Sequence, residues 1–349
     1  MNFTPIFALQ MLIHVLIKVP FKLTFKFKSH LKNNLTLRQF HSQEYHQTSQ
    51  DYLLNEVQLT LLKYLPLRTI SRVWGLMTSL YLPICLRSSV LGSYSRLFDC
   101  QLKEAEIDDY RLYPSLKQFF TRSLKPGLRP IAPGDNLVSP VDGTVLHFGR
   151  VTEGNIEQIK GVYFTVRSFL GPQSWPSFDS IYNKIYNCLY NCVIYLAPGD
   201  YHRFHSPAEW KVHFRRHFPG HLLSVHPSFV GRVKGLFTIN ERVAYLGHWN
   251  HGFMSMTAVG ATNVGSVSTY FDPNLKTNRF NWRRKPYNDH VFGGPIGFDK
   301  GDAFGEFNLG STIVLLFEAP RNWRFTVQPG DKIKYGQLLF KQKSNQAKC

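Results

Sequence analysis

The chain has 349 residues, with 41 Lys and Arg against 23 Asp and Glu, for a formal charge of +18. That length can bury a sizeable core as one large domain or two, and the positive balance favours an anionic partner, nucleic acid or an acidic membrane, without choosing between them. The five cysteines, Cys85, Cys100, Cys188, Cys192 and Cys349, form no CxxC pair and no zinc-ligand spacing, which argues against a disulfide framework and for a reducing compartment.

No acidic residue precedes Glu44, whereas Lys18, Lys22, Lys26, Lys28, Lys32 and Arg38 are interleaved with Phe, Leu, Ser and Thr. An acid-free, basic, hydroxylated N-terminus is the composition of a mitochondrial transit peptide. Its apolar part, residues 3–19, contains Gln10, His14 and Lys18, and it barely reaches the ~20 residues that a span needs. Residues 1–50 therefore read as a targeting segment first and a membrane anchor second. No charged stretch precedes the apolar one, which counts against a cleaved secretory signal.

Residues 51–130 read as a helical, membrane-associating region. Ile70, Val73, Trp74, Met77 and Tyr81 recur at helical spacing, with Arg68, Ser71, Arg72 and Thr78 on other faces. Pro83 limits that helix. A second helix is expected over 115–124, stopping at Lys125-Pro126-Gly127. Packing on a core explains both; a basic amphipathic helix can also lie on lipid.

From about Asn136 the texture becomes β-rich, with short apolar strands divided by turns. Pro-Gly-Asp occurs at 133–135, 198–200 and 329–331, and Asp142-Gly143 and Lys300-Gly301-Asp302 add further turns. The stretches 172–191 and 278–297 read as inserted loops of little catalytic interest. The expected class is α+β: N-terminal amphipathic helices, then a β-rich, sandwich-like catalytic domain over 131–349.

Three clusters carry chemistry. The first, Ser139-Pro140-Val141-Asp142-Gly143-Thr144-Val145, reads as strand–turn–strand with an acid at the corner. In the second, YHRFHSP at 201–207, a strand delivers His202 and His205 into a loop. The third is Leu309-Gly310-Ser311-Thr312, which opens the apolar run Thr312-Ile313-Val314-Leu315-Leu316-Phe317, the signature of a buried strand. Taken alone, that Gly-Ser is a turn or bulge. Histidines also lie at 213, 217, 221 and 226, but Phe218-Pro219-Gly220 breaks any helix there and no His-Glu-x-x-His is present. No metal is assigned.

Asp, His and Ser in separate clusters meet the residue requirements of a nucleophilic triad. Ser311, however, lacks the Gly-x-Ser-x-Gly elbow of hydrolases. If Ser311 is the nucleophile, the nearest carbonyl it can attack is that of Gly310.

The ordered set is more specific than any member. Leu-Gly-Ser-Thr, the Asp-Gly corner, YHRFHSP and HFPG at 217–220 occur together with FFTRSLKPGLRP at 119–130, NER at 240–242 and TAVGATNVGS at 257–266. This set resembles phosphatidylserine decarboxylase of the mitochondrial and bacterial type, in order from about Leu65 to the end. The resemblance implies a proenzyme that cuts itself between Gly310 and Ser311, with Asp142, His205 and Ser311 as the cleavage relay. Ser311 would become a covalent pyruvoyl cofactor that forms a Schiff base with the substrate amine, and His202 would be the proton donor in decarboxylation. It further implies phosphatidylserine as substrate, phosphatidylethanolamine and CO2 as products, and an anionic membrane surface as partner. The β chain (to Gly310) and the α chain (from Ser311) would form a heterodimer, the family suggests a homo-oligomer, and the location would be the mitochondrial inner membrane. No nucleic-acid module is recognisable. Two other readings stay open: a Ser-His-Asp lipid hydrolase with an intact chain, and a lipoyl- or biotinyl-like carrier module suggested by the turn texture of residues 329–336.

Overall fold

The computed structural model describes residues 54, 56–159, 161–174, 187–262, 266–279, 285–308 and 311–343. The targeting and anchor readings on residues 1–50 lie outside the described residues, as does Gly310. Among the described residues no helix is long and apolar enough to cross a membrane.

Helices lead the described chain: α1 (Glu56–Tyr64), α2 (Leu67–Ser79), α3 (Ile84–Phe98) and, after two short 3-10 turns, α4 (Leu116–Phe120). Pro66 and Pro83 stand immediately before α2 and α3, where a fixed φ and a missing N–H cost nothing. The expected stripe ending at Tyr81 is thus cut short, because α2 stops at Ser79 and Leu80 is extended. The residues α2 buries are Ser71, Trp74 and Thr78. Val73 is 48% exposed, and Leu76 and Tyr81 are more than 70% exposed. The second expected helix is also shorter, five residues capped by the Ser115 hydroxyl. It ends at Thr121, whose carbonyl accepts from Arg203 Nε at 2.8 Å.

The strands follow as β1 (Leu137–Val138), β2 (Gly143–Arg150), β3 (Asn155–Ile159), β4 (Val162–Thr165), β5 (Asn187–Leu196), β6 (Arg203–His205), β7 (Trp210–Phe218), β8 (Arg242–Trp249), β9 (Gly252–Val259), β10 (Val267–Thr269), β11 (Asn288–Phe298), β12 (Ala303–Phe307), β13 (Ser311–Pro320), β14 (Trp323–Phe325), β15 (Lys332–Ile333) and β16 (Leu338–Gln342). The main sheet has eight strands in the order β11-β7-β8-β9-β13-β5-β2-β15. Three smaller sheets, β1-β16-β14, β10-β12-β6 and β3-β4, accompany it. The class is α+β with a sandwich-like, sheet-dominated domain. Because β13 lies between β9 and β5, nine of its ten residues are buried. A strand covered on both faces reads as a continuous apolar run rather than an alternating one.

Two local expectations change. The Asp142-Gly143 corner does not close a hairpin, since β1 pairs with β16 while β2 pairs with β5 and β15. The chain instead switches sheets there, and Gly143 is required because a Cβ would lie 2.5 Å from the Tyr195 carbonyl oxygen. The two inserted stretches are not wholly loops: their ends supply the first half of β5 and most of the edge strand β11.

The helical layer docks on the β-rich layer through arginines. Arg68 of α2 pairs with Glu241 at 2.9 Å and donates to the Gly220 carbonyl at 2.6 Å, and Arg72 donates to the Asn278 carbonyl at 2.8 Å. Gly199 seats against the C-terminal end of α3, where a Cβ would stand 1.9 Å from the Phe98 carbonyl oxygen. Gly199→Ala is therefore expected to force α3 off the 197–200 turn and to destabilise the protein by about 1–3 kcal/mol. Thermal unfolding would measure this, and an unchanged midpoint would show that the contact is slack.

Candidate active site

Strand pairing sets the site. Ser311 is the first residue of β13 and lies opposite Leu196, the last of β5. From Leu196 the chain turns through Ala197-Pro198-Gly199-Asp200, closed by Asp200 N–H to the Ala197 carbonyl at 2.9 Å and Ala197 N–H to Asp200 Oδ2 at 2.7 Å. The helical layer holds this turn: the Tyr94 hydroxyl donates to the Pro198 carbonyl at 3.1 Å, and Arg122 Nη2 donates to that of Gly199 at 3.0 Å. His202 and His205 follow directly.

His202 is fully buried and its ring packs on Phe120, with centroids 3.9 Å apart. Its Nδ1 donates to the Asp200 carbonyl at 2.8 Å. A carbonyl can only accept, so Nδ1 carries the proton and Nε2 is a bare lone pair. That lone pair is buried without a hydrogen-bond partner. Burial, with the Arg122 cation adding to it, depresses the imidazole to about 3.

His205 follows the same logic with different partners. Its Nδ1 donates to the Gly301 carbonyl at 2.9 Å, and its Nε2 accepts from the Tyr201 hydroxyl at 3.0 Å. Its ring lies flat on Tyr335, with centroids 4.0 Å apart and planes 5° from parallel. Burial depresses it to about 4, against a smaller opposing pull from the Asp142 charge.

Asp142 is buried and saturated. Arg129 donates to both its oxygens, at 3.2 and 2.7 Å, Lys334 Nζ stands 3.2 Å away, and Tyr335 N–H donates at 2.9 Å. Arg129 also pairs with Glu104. Asp142 and His205 are thus neighbours of the same residue, Tyr335, and are not hydrogen-bonded to each other. The Ser311 hydroxyl is fully buried without a partner, as is that of Thr312. Native proteins seldom leave a buried hydroxyl unpaired, and such a group calls for an explanation. Sequence reasoning missed Arg129, Tyr201, Tyr335 and Phe120. Arg129 and Phe120 lie inside FFTRSLKPGLRP, a stretch singled out above without roles for its members.

The other histidines are used elsewhere. His217 pairs with Glu241 at 2.8 Å, His226 bonds to Ser228, and His213 meets His248 edge-on. Among the described residues no three His, Cys, Asp or Glu are grouped to hold a metal.

Residues 116–341 match the family model for phosphatidylserine decarboxylase. The chain belongs to that family. It is 45% identical to the mitochondrial phosphatidylserine decarboxylase proenzyme of Cricetulus griseus, over 82% of this chain and 75% of that protein. The proenzyme of the same name from Caenorhabditis elegans is also 45% identical, over 79% of this chain and 71% of its own. Mitochondrial phosphatidylserine decarboxylase proenzyme 1 of Saccharomyces cerevisiae is 37% identical, with coverages of 79% and 72%. The matched region of the family model includes Asp142, His202, His205 and Ser311.

Both buried histidines have folded values below the ordinary 6.5, so the folded state binds fewer protons than the unfolded one between 6.5 and about 4 for His205 or about 3 for His202. Stability therefore falls as pH drops through that window. The urea midpoint should decline from pH 7 to pH 4.5, and less steeply in His202→Gln and His205→Gln. Parallel curves would show that neither imidazole is buried neutral.

Proposed function

We propose that this chain is a self-processing phosphatidylserine decarboxylase proenzyme that cuts itself before Ser311 and works through the pyruvoyl group left there. The observation that carries the reading is the Ser311 hydroxyl: enclosed, unbonded, and placed at the start of a strand whose remainder is held from both sides, in a chain of this family.

His205 takes the Ser311 proton as Oγ attacks the Gly310 carbonyl; the C–N bond breaks, the freed amine takes up the proton, and an ester replaces the amide. Gly310 suits this because no side chain blocks the approach. Loss of the Ser311 Cα proton then expels the Gly310 carboxylate and leaves a dehydroalanine, which water converts to pyruvoyl and ammonia. Asp142 supports His205 through charge rather than by a direct hydrogen bond in the uncut arrangement. Fit to the cofactor rests on Ser311 and on the bare His202 Nε2, two buried polar groups for which the protein supplies no partner. The pyruvoyl ketone supplies an electron sink for the bond to the departing CO2. His202 Nε2, a bare lone pair in the uncut chain, would take up a proton only with substrate in place and deliver it to the carbon that CO2 has left. The chain that begins at Ser311 has too little core to fold alone and stays in the parent sheets through β13, β14, β15 and β16, so the two chains remain a heterodimer.

A lipid hydrolase would keep one chain and a free Ser311 hydroxyl. A carrier module would leave the buried, unpartnered Ser311 hydroxyl and the two buried histidines without a role. Intact-mass analysis discriminates among the three: two chains, the smaller starting at residue 311 with pyruvoyl, are expected. His205→Ala and Asp142→Asn should stay mostly uncut. His202→Ala should be cut yet decarboxylate ~10²–10⁴-fold more slowly. A single mass in active protein would falsify the proposal.

The substrate and product are lipids, and the relatives are named mitochondrial; we place this chain at the mitochondrial inner membrane, with the helical layer facing an anionic surface. The apolar side chains of Val57, Leu61, Leu76, Leu80 and Ile84 are all more than 60% exposed on α1, α2 and the start of α3, which suits an interfacial helix pair. Arg68, Arg72 and Arg87 do not supply the electrostatic part, because all three bond to the protein itself. Protein begun at Asp51 should bind anionic vesicles, more weakly as salt rises. Leu76→Glu with Leu80→Glu should weaken binding further still. Binding indifferent to the double substitution would exclude this face.

A further inference from the structure

His205 is gripped by contacts from several parts of the chain. Its own N–H donates to the Pro140 carbonyl at 2.8 Å, Gly301 accepts from Nδ1, and Tyr201 donates to Nε2. The Tyr201 ring also stacks on the imidazole, with centroids 5.7 Å apart, and the face of Tyr335 lies closer, at 4.0 Å. Tyr335 is downstream of Ser311, in the segment that cleavage would make a separate chain.

The position of that ring is built by its neighbours. Gly336 N–H donates to the Ser139 carbonyl at 2.9 Å, Ser139 N–H to the Gln337 carbonyl at 2.8 Å, and Ala132 N–H to the Gly336 carbonyl at 2.9 Å. Gly336 adopts a positive φ of 81°, and a Cβ there would come within 2.9 Å of the Pro130 carbonyl oxygen. Tyr335 N–H and the Lys334 ammonium both engage Asp142. The segment 334–337 therefore locks onto 139–142, which itself holds His205 through Pro140. The Tyr335 hydroxyl takes no part in these contacts.

We propose that Tyr335 is a positioning residue for the self-cleavage put forward above, on which this inference rests: its ring lies flat on His205, excludes water from the imidazole and aims it, so that the chain can be cut before Ser311 only after segment 334–337 has docked. Maturation then waits for the turn between β15 and β16, although no atom of Tyr335 takes part in the bond changes.

The role has a signature that simple packing lacks. The charged and titratable groups around His205 are Tyr201 and Arg203 on its own stretch, Asp142 before β2, Asp302 before β12, and Tyr335 after β15. Burial is the largest influence on the imidazole and disfavours its charged form. Removing the ring admits water and raises the pH at which His205 protonates. A protonated His205 cannot accept the Ser311 proton, so the acid limb of the cleavage rate moves to higher pH.

The experiment is a pulse-chase of the full chain made by cell-free translation and moved for the chase into buffers from pH 3.5 to 8.5, with cleavage scored on a gel. Tyr335→Phe keeps the ring and should match the parent in rate and in acid limb. Tyr335→Ala should be cut about tenfold more slowly, with its acid limb raised by about one pH unit. Tyr335→Leu, smaller and without the flat face that covers the imidazole, should be slowed and shifted in the same direction, and it stands in should the alanine variant fail to fold. Parental cutting in Tyr335→Leu, or slower cutting with an unmoved acid limb, would overturn the positioning role. His205→Ala is the control for the underlying reading: if it is cut at the parental rate, the assignment of His205 fails, and not merely that of Tyr335.

Discussion

The ten-residue antiparallel pairing of β13 with β5 is the constraint on which the site depends. It begins at the Ser311–Leu196 pair and, with β9 on the other side, leaves β13 almost wholly buried. Burial on both faces demands apolar residues throughout, yet the strand opens on two hydroxyls that the fold does not satisfy. The same register ends β5 beside Ser311, and the turn from Leu196 leads directly into the stretch that bears His202 and His205. One strand pairing thereby fixes both Ser311 and the end of β5 from which the histidine loop departs.

Around that pairing, low polarity governs the chemistry. Both histidines are neutral because burial costs the charged form more than their surroundings return, and in both the Nδ1 proton is taken by a backbone carbonyl. A neutral imidazole with Nδ1 occupied has its base at Nε2. The two Nε2 atoms differ in what they meet, a Tyr201 hydroxyl in one case and no partner in the other. Histidines three residues apart, from one strand and turn, are thereby given distinct environments.

The basic balance of the chain divides in two. Much of the arginine in the helical layer serves the interior: Arg68, Arg72, Arg87, Arg122 and Arg129 all bond to carbonyls or carboxylates of the protein. Buried guanidinium groups persist only where such partners exist. From α1 to the start of α3 the exposed side chains are chiefly apolar, Leu76 and Leu80 among them. An interfacial role consequently rests on apolar contact, with the remaining surface charge as a secondary attraction.

Much of this was legible in the residues. The run after Ser311 could only be a buried strand, because β-branched and apolar residues without alternation fit no half-exposed element. YHRFHSP, the Asp-Gly corner and Gly310-Ser311 in order pointed to one family, which the comparison with its relatives bears out. The loops drawn over 172–191 and 278–297 were wrong at their ends, since strand pairing with distant segments overrides local turn composition there. Nor could local sequence reveal that Asp142-Gly143 joins two sheets rather than closing a hairpin. Arg68 and Arg72 looked like lipid-facing charges, because helical periodicity sorts residues by face without saying what covers each one. Only the tertiary structure brought Tyr335 onto His205 and Arg129 onto Asp142. Those contacts span 130 and 13 residues of chain, and their geometry is set by how the sheets and the C-terminal turn pack together, which no local pattern encodes.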